Sequence, residues 1–150
     1  MHPMVRILAL VAFILPAAGT MPAFAAPPTD ACSLLTAAEV SSSLGSPVAK
    51  GTYDMPGFTK TCTWTIPTGG AVTLQLQTLD FFNAGKGALA SSERTSASGV
   101  GDEAYYLVMG SLDVRKGSTA FKVSVYTSEF GMDQRKAIEK SIAQRVLAKL

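Results

Sequence analysis

The single histidine of this chain, His2, lies in its extreme N-terminal segment, ahead of an apolar run. Ser-His-Asp and Cys-His catalysis both need an imidazole as the base. If that leading segment is removed, no imidazole remains. Ser-x-x-Lys, Gly-x-Ser-x-Gly, the Gly-x-x-x-x-Gly-Lys-Ser/Thr phosphate loop and His-Glu-x-x-His are absent from the sequence. Carboxylates are the remaining route to catalysis, because a pair of them can cleave a glycosidic bond without histidine. The candidates are Asp102, Glu103, Asp113 and Glu129. Asp102 follows Gly99-Val100-Gly101, where an Asp commonly caps a turn. Asp113 lies beside Arg115 on the polar face of a strand, where a solvated ion pair is expected rather than catalysis. The chain is therefore expected not to be an enzyme, with a carboxylate-based hydrolase as the alternative.

Binding residues are the more informative class. Tyr53, Met55 and Phe58 flank Pro56-Gly57, and an apolar loop of that kind can mark a partner surface. Tyr105 and Tyr106 point to opposite faces of any strand that holds them, so one is core-facing and the other is free to make a contact. Tyr126 shares the polar side of its strand with Lys122 and Ser124. Tyr53, Met55, Phe58, Tyr105 and Tyr126 are thus the candidate binding residues. Trp64, the only tryptophan, alternates with Cys62 and Ile66 and reads as core. Thr61, Thr63 and Thr65 form a polar strand face, for which threonine is simply a good exposed strand former.

The leader carries Arg6, an apolar stretch from Ile7 to Leu15, and then Ala23-Phe24-Ala25 before Ala26. This is the charged, apolar and small-residue order of a secretory signal peptide. Residues 1–25 are expected to be cleaved, residues 26–31 to form a flexible lead, and residues 32–150 to fold as one domain. A retained anchor is the competing reading. Cys32 is not expected to be lipidated, because Asp30 lies beside it where a small apolar stretch is needed. The location is then secreted or periplasmic, with no transmembrane segment after cleavage. Thirteen basic residues stand against eleven acidic ones, a formal charge of +2 that falls when Arg6 is removed. So near-neutral a balance argues against nucleic-acid binding.

Two cysteines in an exported chain most simply pair with each other, here Cys32 with Cys62. Closing a loop of about 30 residues stabilises by roughly 3–4 kcal/mol on the chain-entropy view. Two widely spaced thiols without histidine make a poor zinc site, and no metal or cofactor is expected.

The elements that must position these residues follow from period and punctuation. Thr36-x-x-Glu39 predicts a capped helix ending near Gly45. Val48 to Tyr53 is a weak first strand. Cys62/Trp64/Ile66 and Val72/Leu74/Leu76 alternate with polar residues on either side of Pro67-Thr68-Gly69-Gly70, which predicts an antiparallel hairpin. Asp80 is expected to cap a second helix through Leu89, and Thr95 to Gly101 reads as a Ser/Gly loop. Strands are predicted at about 103–109, 112–116 and 119–127. A final helix runs from near Asp133 to about Lys149, with Ile138, Ile142 and Val146 as its apolar stripe. Its basic residues read as a solvated face. The order α-βββ-α-βββ-α predicts an α+β domain: a curved antiparallel sheet of about five to six strands with helices packed on one face.

Ala31-Cys32-Ser33-Leu34-Leu35-Thr36-x-x-Glu39-Val40, Leu44-Gly45-x-Pro47-Val48, Cys62-Thr63-Trp64, Gly99-Val100-Gly101-Asp102-Glu103-Ala104-Tyr105 and Leu112-x-Val114-x-Lys116-Gly117 together resemble a family of small exported bacterial domains. Its members include lipoproteins and sensor-type extracytoplasmic modules of unknown function. The resemblance implies a Cys32–Cys62 bridge and an α+β envelope domain, and it implies no reaction. The expected function is an exported, non-catalytic envelope domain that binds a partner protein or a small ligand. An exported inhibitor or assembly factor is the alternative beside the hydrolase.

Overall fold

The structure is a computed structural model that describes residues 26–150. His2 and the leader with its cleavage site lie outside the described residues.

Helix α1 (Ala37–Leu44) forms where the capping box places it. The Thr36 hydroxyl accepts the Glu39 N–H, and the Glu39 carboxylate accepts the Thr36 N–H at 2.7 Å. Gly45 ends the helix in the left-handed region, φ +82°, its N–H donating to the Ser41 carbonyl. Strands β1 (Thr52–Tyr53), β2 (Thr61–Thr65) and β3 (Ala71–Gln77) follow, then α2 (Leu79–Ala88). The second half holds β4 (Arg94–Ser96), β5 (Glu103–Leu107), β6 (Ser111–Lys116), β7 (Thr119–Tyr126) and α3 (Met132–Leu147). All pairings are antiparallel, in the order β1-β2-β3-β7-β6-β5-β4. Two meanders are therefore joined at the centre by β3 and β7, in the register Val72↔Val125, Leu74↔Val123 and Leu76↔Phe121.

This is the expected α+β architecture of helices on an open antiparallel sheet. The sheet has seven strands because Arg94–Ser96, at the start of the Ser/Gly loop, adds an edge strand to β5. A three-residue strand is too short to show alternation. The first strand is only Thr52–Tyr53, shorter than 48–53.

The apolar face carries the main core. Trp64, Leu74, Phe121, Val123 and Leu112 pack beneath Val40 and Leu44 of α1 and Ile138, Ile142 and Val146 of α3. Two basic residues of α3, Lys140 and Arg145, and Lys149 just after it join the helix to its neighbours. Lys149 pairs with Glu39 at 2.7 Å, Arg145 donates to Ser42 and Ser43, and Lys140 donates to the Ser98 carbonyl. Helix α2 departs from the one-face arrangement. Its buried Phe82 meets Tyr105 and Ala120, which point to the side opposite the main core. The helix thus covers part of the polar face. Its N-cap is Thr78, not Asp80: the Thr78 hydroxyl accepts the Phe81 N–H at 3.1 Å, and Asp80 lies in the first turn. A carboxylate there still favours the helix through its dipole.

Cys32 and Cys62 form the disulfide, with Cα atoms 5.0 Å apart, tying the segment before α1 to β2. Gly51 packs directly on it. A Cβ at Gly51 would lie 2.7 Å from Cys62 Sγ and 2.7 Å from Trp64 Nε1, both buried. Gly51→Ala is therefore expected to destabilise by about 1–3 kcal/mol through overpacking. Gly87→Ala, on α2 with open space around it, is expected to stabilise by a few tenths to about 1 kcal/mol. Urea denaturation of both variants checks the pair, and equal effects would refute the close contact at Gly51.

Candidate functional site

A cavity of about 380 Å³ opens at the end of the sheet where β2 begins, β3 ends and β7 begins. Its walls come from four places. The chain before α1 supplies Pro27 and Pro28, and the loop before β2 supplies Phe58 and Lys60. The β3-to-α2 junction supplies Leu76 to Leu79, and the β6–β7 turn supplies Ser118 to Ala120. Local chemistry builds each wall. The Thr78 cap fixes the turn from strand into helix. The Leu76 N–H donates to the Lys60 carbonyl at 2.7 Å, extending the β2–β3 ladder to the mouth. The lead expected to be flexible is held in place from Thr29 onward. Thr59 Oγ1 donates to the Thr29 carbonyl at 2.7 Å, and the Ala31 N–H donates to the Thr59 carbonyl at 2.8 Å. Asp30 accepts the Cys32 N–H and the Tyr53 hydroxyl.

The polar residues of the lining are Lys60, Gln77, Thr78, Ser118 and Thr119. Gln77 turns its amide nitrogen to Asp113 at 3.1 Å, which leaves its carbonyl oxygen buried without a donor. Asp113 is itself buried, 3.7 Å from Lys122 Nζ, and burial pushes its carboxyl above the usual range. The expected solvated pair of Asp113 with Arg115 does not form. Asp113 faces Lys122 across the β6–β7 register, whereas Arg115 reaches Asp102 at 3.8 Å and Glu103 at 3.6 Å.

The five predicted binding residues are not brought together. Phe58, 41% exposed, lines the cavity, and Met55, 57% exposed, stands at the tip of its loop. Tyr53 borders a different hollow, beside α1 and Trp64, and its hydroxyl bond to Asp30 raises its pKa. Tyr126 is exposed on the polar face, in a shallow trough with Asp54, Thr73, Gln75 and Lys122. Tyr105 is 5% exposed, because α2 covers it, and only borders a small hollow with Lys86, Arg94 and Glu103. Its ring lies 5.3 Å from that of Phe82, its hydroxyl donates to the Phe82 carbonyl, and burial pushes its pKa up to about 12. Tyr106 is core-facing, as one of the two had to be, and its hydroxyl donates to the Lys136 carbonyl at 3.0 Å.

Sequence reasoning missed Lys60, Gln77, Thr78, Leu79 and Thr119. Each closes or flanks an element and none belongs to a motif, so no local signal marks them. It also missed the tip of the β5–β6 turn, where Met109 is 88% exposed next to Val108.

Of the other candidate acids, Glu129 is exposed, and Asp102 and Glu103 make bonds within the fold. Asp102 Oδ2 accepts the Gly117 N–H at 2.7 Å, so in place of the local turn after Gly99 it caps the distant β6–β7 turn. This bond first, and then Lys116, holds its pKa below the ordinary value. Glu103 pairs with Lys86 and Arg115, and its pKa is lowered chiefly by Lys86. Among the described residues no cluster of three or more His, Cys, Asp or Glu side chains is placed to hold a metal ion. No helix of the described residues is long and apolar enough to cross a membrane. In comparisons with known proteins, no family model, curated protein or solved structure matches this chain.

Proposed function

We propose that this protein is an exported, non-catalytic domain of the bacterial envelope that binds a small ligand in the cavity between Pro27–Pro28, Phe58 and the β3–α2 junction. The observation that carries this reading is the cavity itself: a mostly apolar concavity with a few convergent polar groups is the usual form of a ligand site. The disulfide is in keeping with an oxidising compartment outside the cytoplasm, as the leader pattern also implies. The carboxylates favour binding over hydrolysis. The pKa values of Asp102 and Glu103 are lowered, Asp102 chiefly by the Gly117 N–H and Glu103 chiefly by Lys86, whereas a glycosidase needs one acid kept protonated. Asp113 and Glu139, whose pKa values are raised, lie on opposite sides of the sheet and cannot flank one bond.

Native mass spectrometry of the processed protein, purified gently from its own envelope, tests the reading. A retained mass of small-molecule size is expected. It should be lost in Phe58→Ala and kept in Met55→Ala, because only Phe58 lines the cavity. The exposed Met55 and Phe58 favour a second reading, capture of a partner protein by this loop. In that case both substitutions abolish capture of a retained protein, and no small mass is seen.

A further inference from the structure

We infer that the cavity takes an apolar molecule carrying a single carboxylate, of the medium-chain acyl-acid class. The inference rests on the ligand-binding reading above and adds the chemistry of the ligand. Most of the lining is apolar: Pro27, Pro28, Phe58, Leu76, Leu79 and Ala120. The remainder is hydroxyl and amide, except for Lys60, which is the single ionisable side chain in the lining. No carboxylate of the described residues lies within ion-pair distance of Lys60. Lys122, which is not part of the lining, pairs with Asp113 at 3.7 Å. The cavity therefore has an apolar body with one uncompensated positive charge at its wall.

Each ligand type meets this arrangement differently. An apolar anion buries its chain against the prolines, Phe58 and the leucines, and places its head beside Lys60. A charge-assisted hydrogen bond to an ammonium is roughly twice as strong as a neutral one. A neutral chain gains the burial alone. A cation meets the Lys60 charge with no acid in the lining to offset it. The free Gln77 carbonyl accepts and does not donate, so it adds nothing for an anion. Discrimination by charge thus rests on Lys60 alone, which is why one carboxylate is inferred and not two. A volume of about 380 Å³ is at the small end for ligand cavities, which favours a medium chain over a whole lipid.

The processed protein is titrated calorimetrically with octanoate, octanol and octylammonium. Octanoate is expected to bind at least about tenfold more tightly than octanol, the ratio given by roughly 1.4 kcal/mol, and octylammonium more weakly than either. Lys60→Met should bring octanoate and octanol within about threefold of each other at unchanged melting temperature, and Lys60→Glu should favour octylammonium. Equal binding of octanoate and octanol by the unaltered protein would overturn the inference and leave the ligand-binding reading standing. So would a preference for octanoate that survives Lys60→Met. Absence of binding by all three, with an unrelated small mass retained in native spectra, overturns the inference alone. Absence of both overturns the inference and the ligand-binding reading together.

Discussion

Replacing Glu139 with Gln is expected to stabilise the protein by about 3 kcal/mol at pH 8 and to change little at pH 4. Glu139 lies on α3 at 0% exposure, in contact with the sheet. Its Oε1 accepts the Val125 N–H at 3.1 Å, and its Oε2 has no partner. The acceptor is needed because the β6–β7 register stops at Leu112↔Val123, short of Val125. Burial pushes the carboxyl from 4.5 up to about 7, against the opposing pull of the Val125 N–H and of the Arg135 and Lys136 charges. An acid with a raised folded-state pKa binds its proton more tightly folded than unfolded. Its contribution is complete below pH 4.5, falls as pH rises from there, and is lost once pH passes about 7. At about 1.4 kcal/mol for each pH unit of displacement, the loss is about 3 kcal/mol. Glutamine keeps a carbonyl oxygen for Val125 and carries no charge to bury. Asp113, also raised by burial, adds a slope of the same sign. Glu139→Ala is different: it removes the acceptor as well and should destabilise at both pH values by about 1–3 kcal/mol. Urea denaturation of the three proteins at pH 4 and pH 8 decides the matter. A difference between the unaltered protein and Glu139→Gln that does not vary with pH would falsify the burial of an ionisable group here.

Removing the Cys32–Cys62 bridge is expected to cost roughly 3–4 kcal/mol, the chain-entropy value for a loop of about 30 residues. The double variant Cys32→Ala/Cys62→Ala measures it without leaving two thiols. Cys62 is fully buried between β1 and β3 at Tyr53 and Leu74, so its alanine also loses some packing. Reduction of the unaltered protein separates the two effects, because it opens the loop and keeps both sulfur atoms. Trp64, the sole tryptophan, sits against the same Gly51 contact and reports the change by fluorescence. The bridge also ties down the segment that contributes Pro27 and Pro28 to the cavity. On the ligand-binding reading proposed above, retention should therefore weaken on reduction even under conditions where the sheet stays folded. A loss of stability below about 1 kcal/mol would mean that the hydrogen bonds of Thr29, Asp30 and Ala31 hold that segment alone.

How far the fold was legible follows from where its information lies. The Thr36/Glu39 capping box, the β2–β3 hairpin and the Ile138/Ile142/Val146 stripe are patterns within a few residues, and all three stand as read. Their periods of 2.0 and 3.6 write burial directly into residue order. The side of the sheet taken by α2 was not written that way. Phe81 and Phe82 are adjacent, and only the pairing of Phe82 with Tyr105 and Ala120 makes one of them core and leaves the other exposed. The same contact turned Tyr105 from a candidate binding residue into a buried one. Glu139 sits next to Ile138 on a helix rich in charge, where nothing local distinguishes a buried carboxylate from a solvated one.

Residue order carried most of the elements, the apolar faces of β2, β3 and β7 and, from compartment and count, the pairing of the two cysteines. These depend on local sterics, on the alternation of side chains and on there being only one partner for each thiol. Tertiary structure alone decided the central β3–β7 pairing, the burial of Glu139 and the cavity with its single lysine. Each of these is made by segments from 14 to more than 90 residues apart in the chain. Contacts at such separations are set by how whole elements bury their surfaces against one another, and no short stretch of residues carries that information.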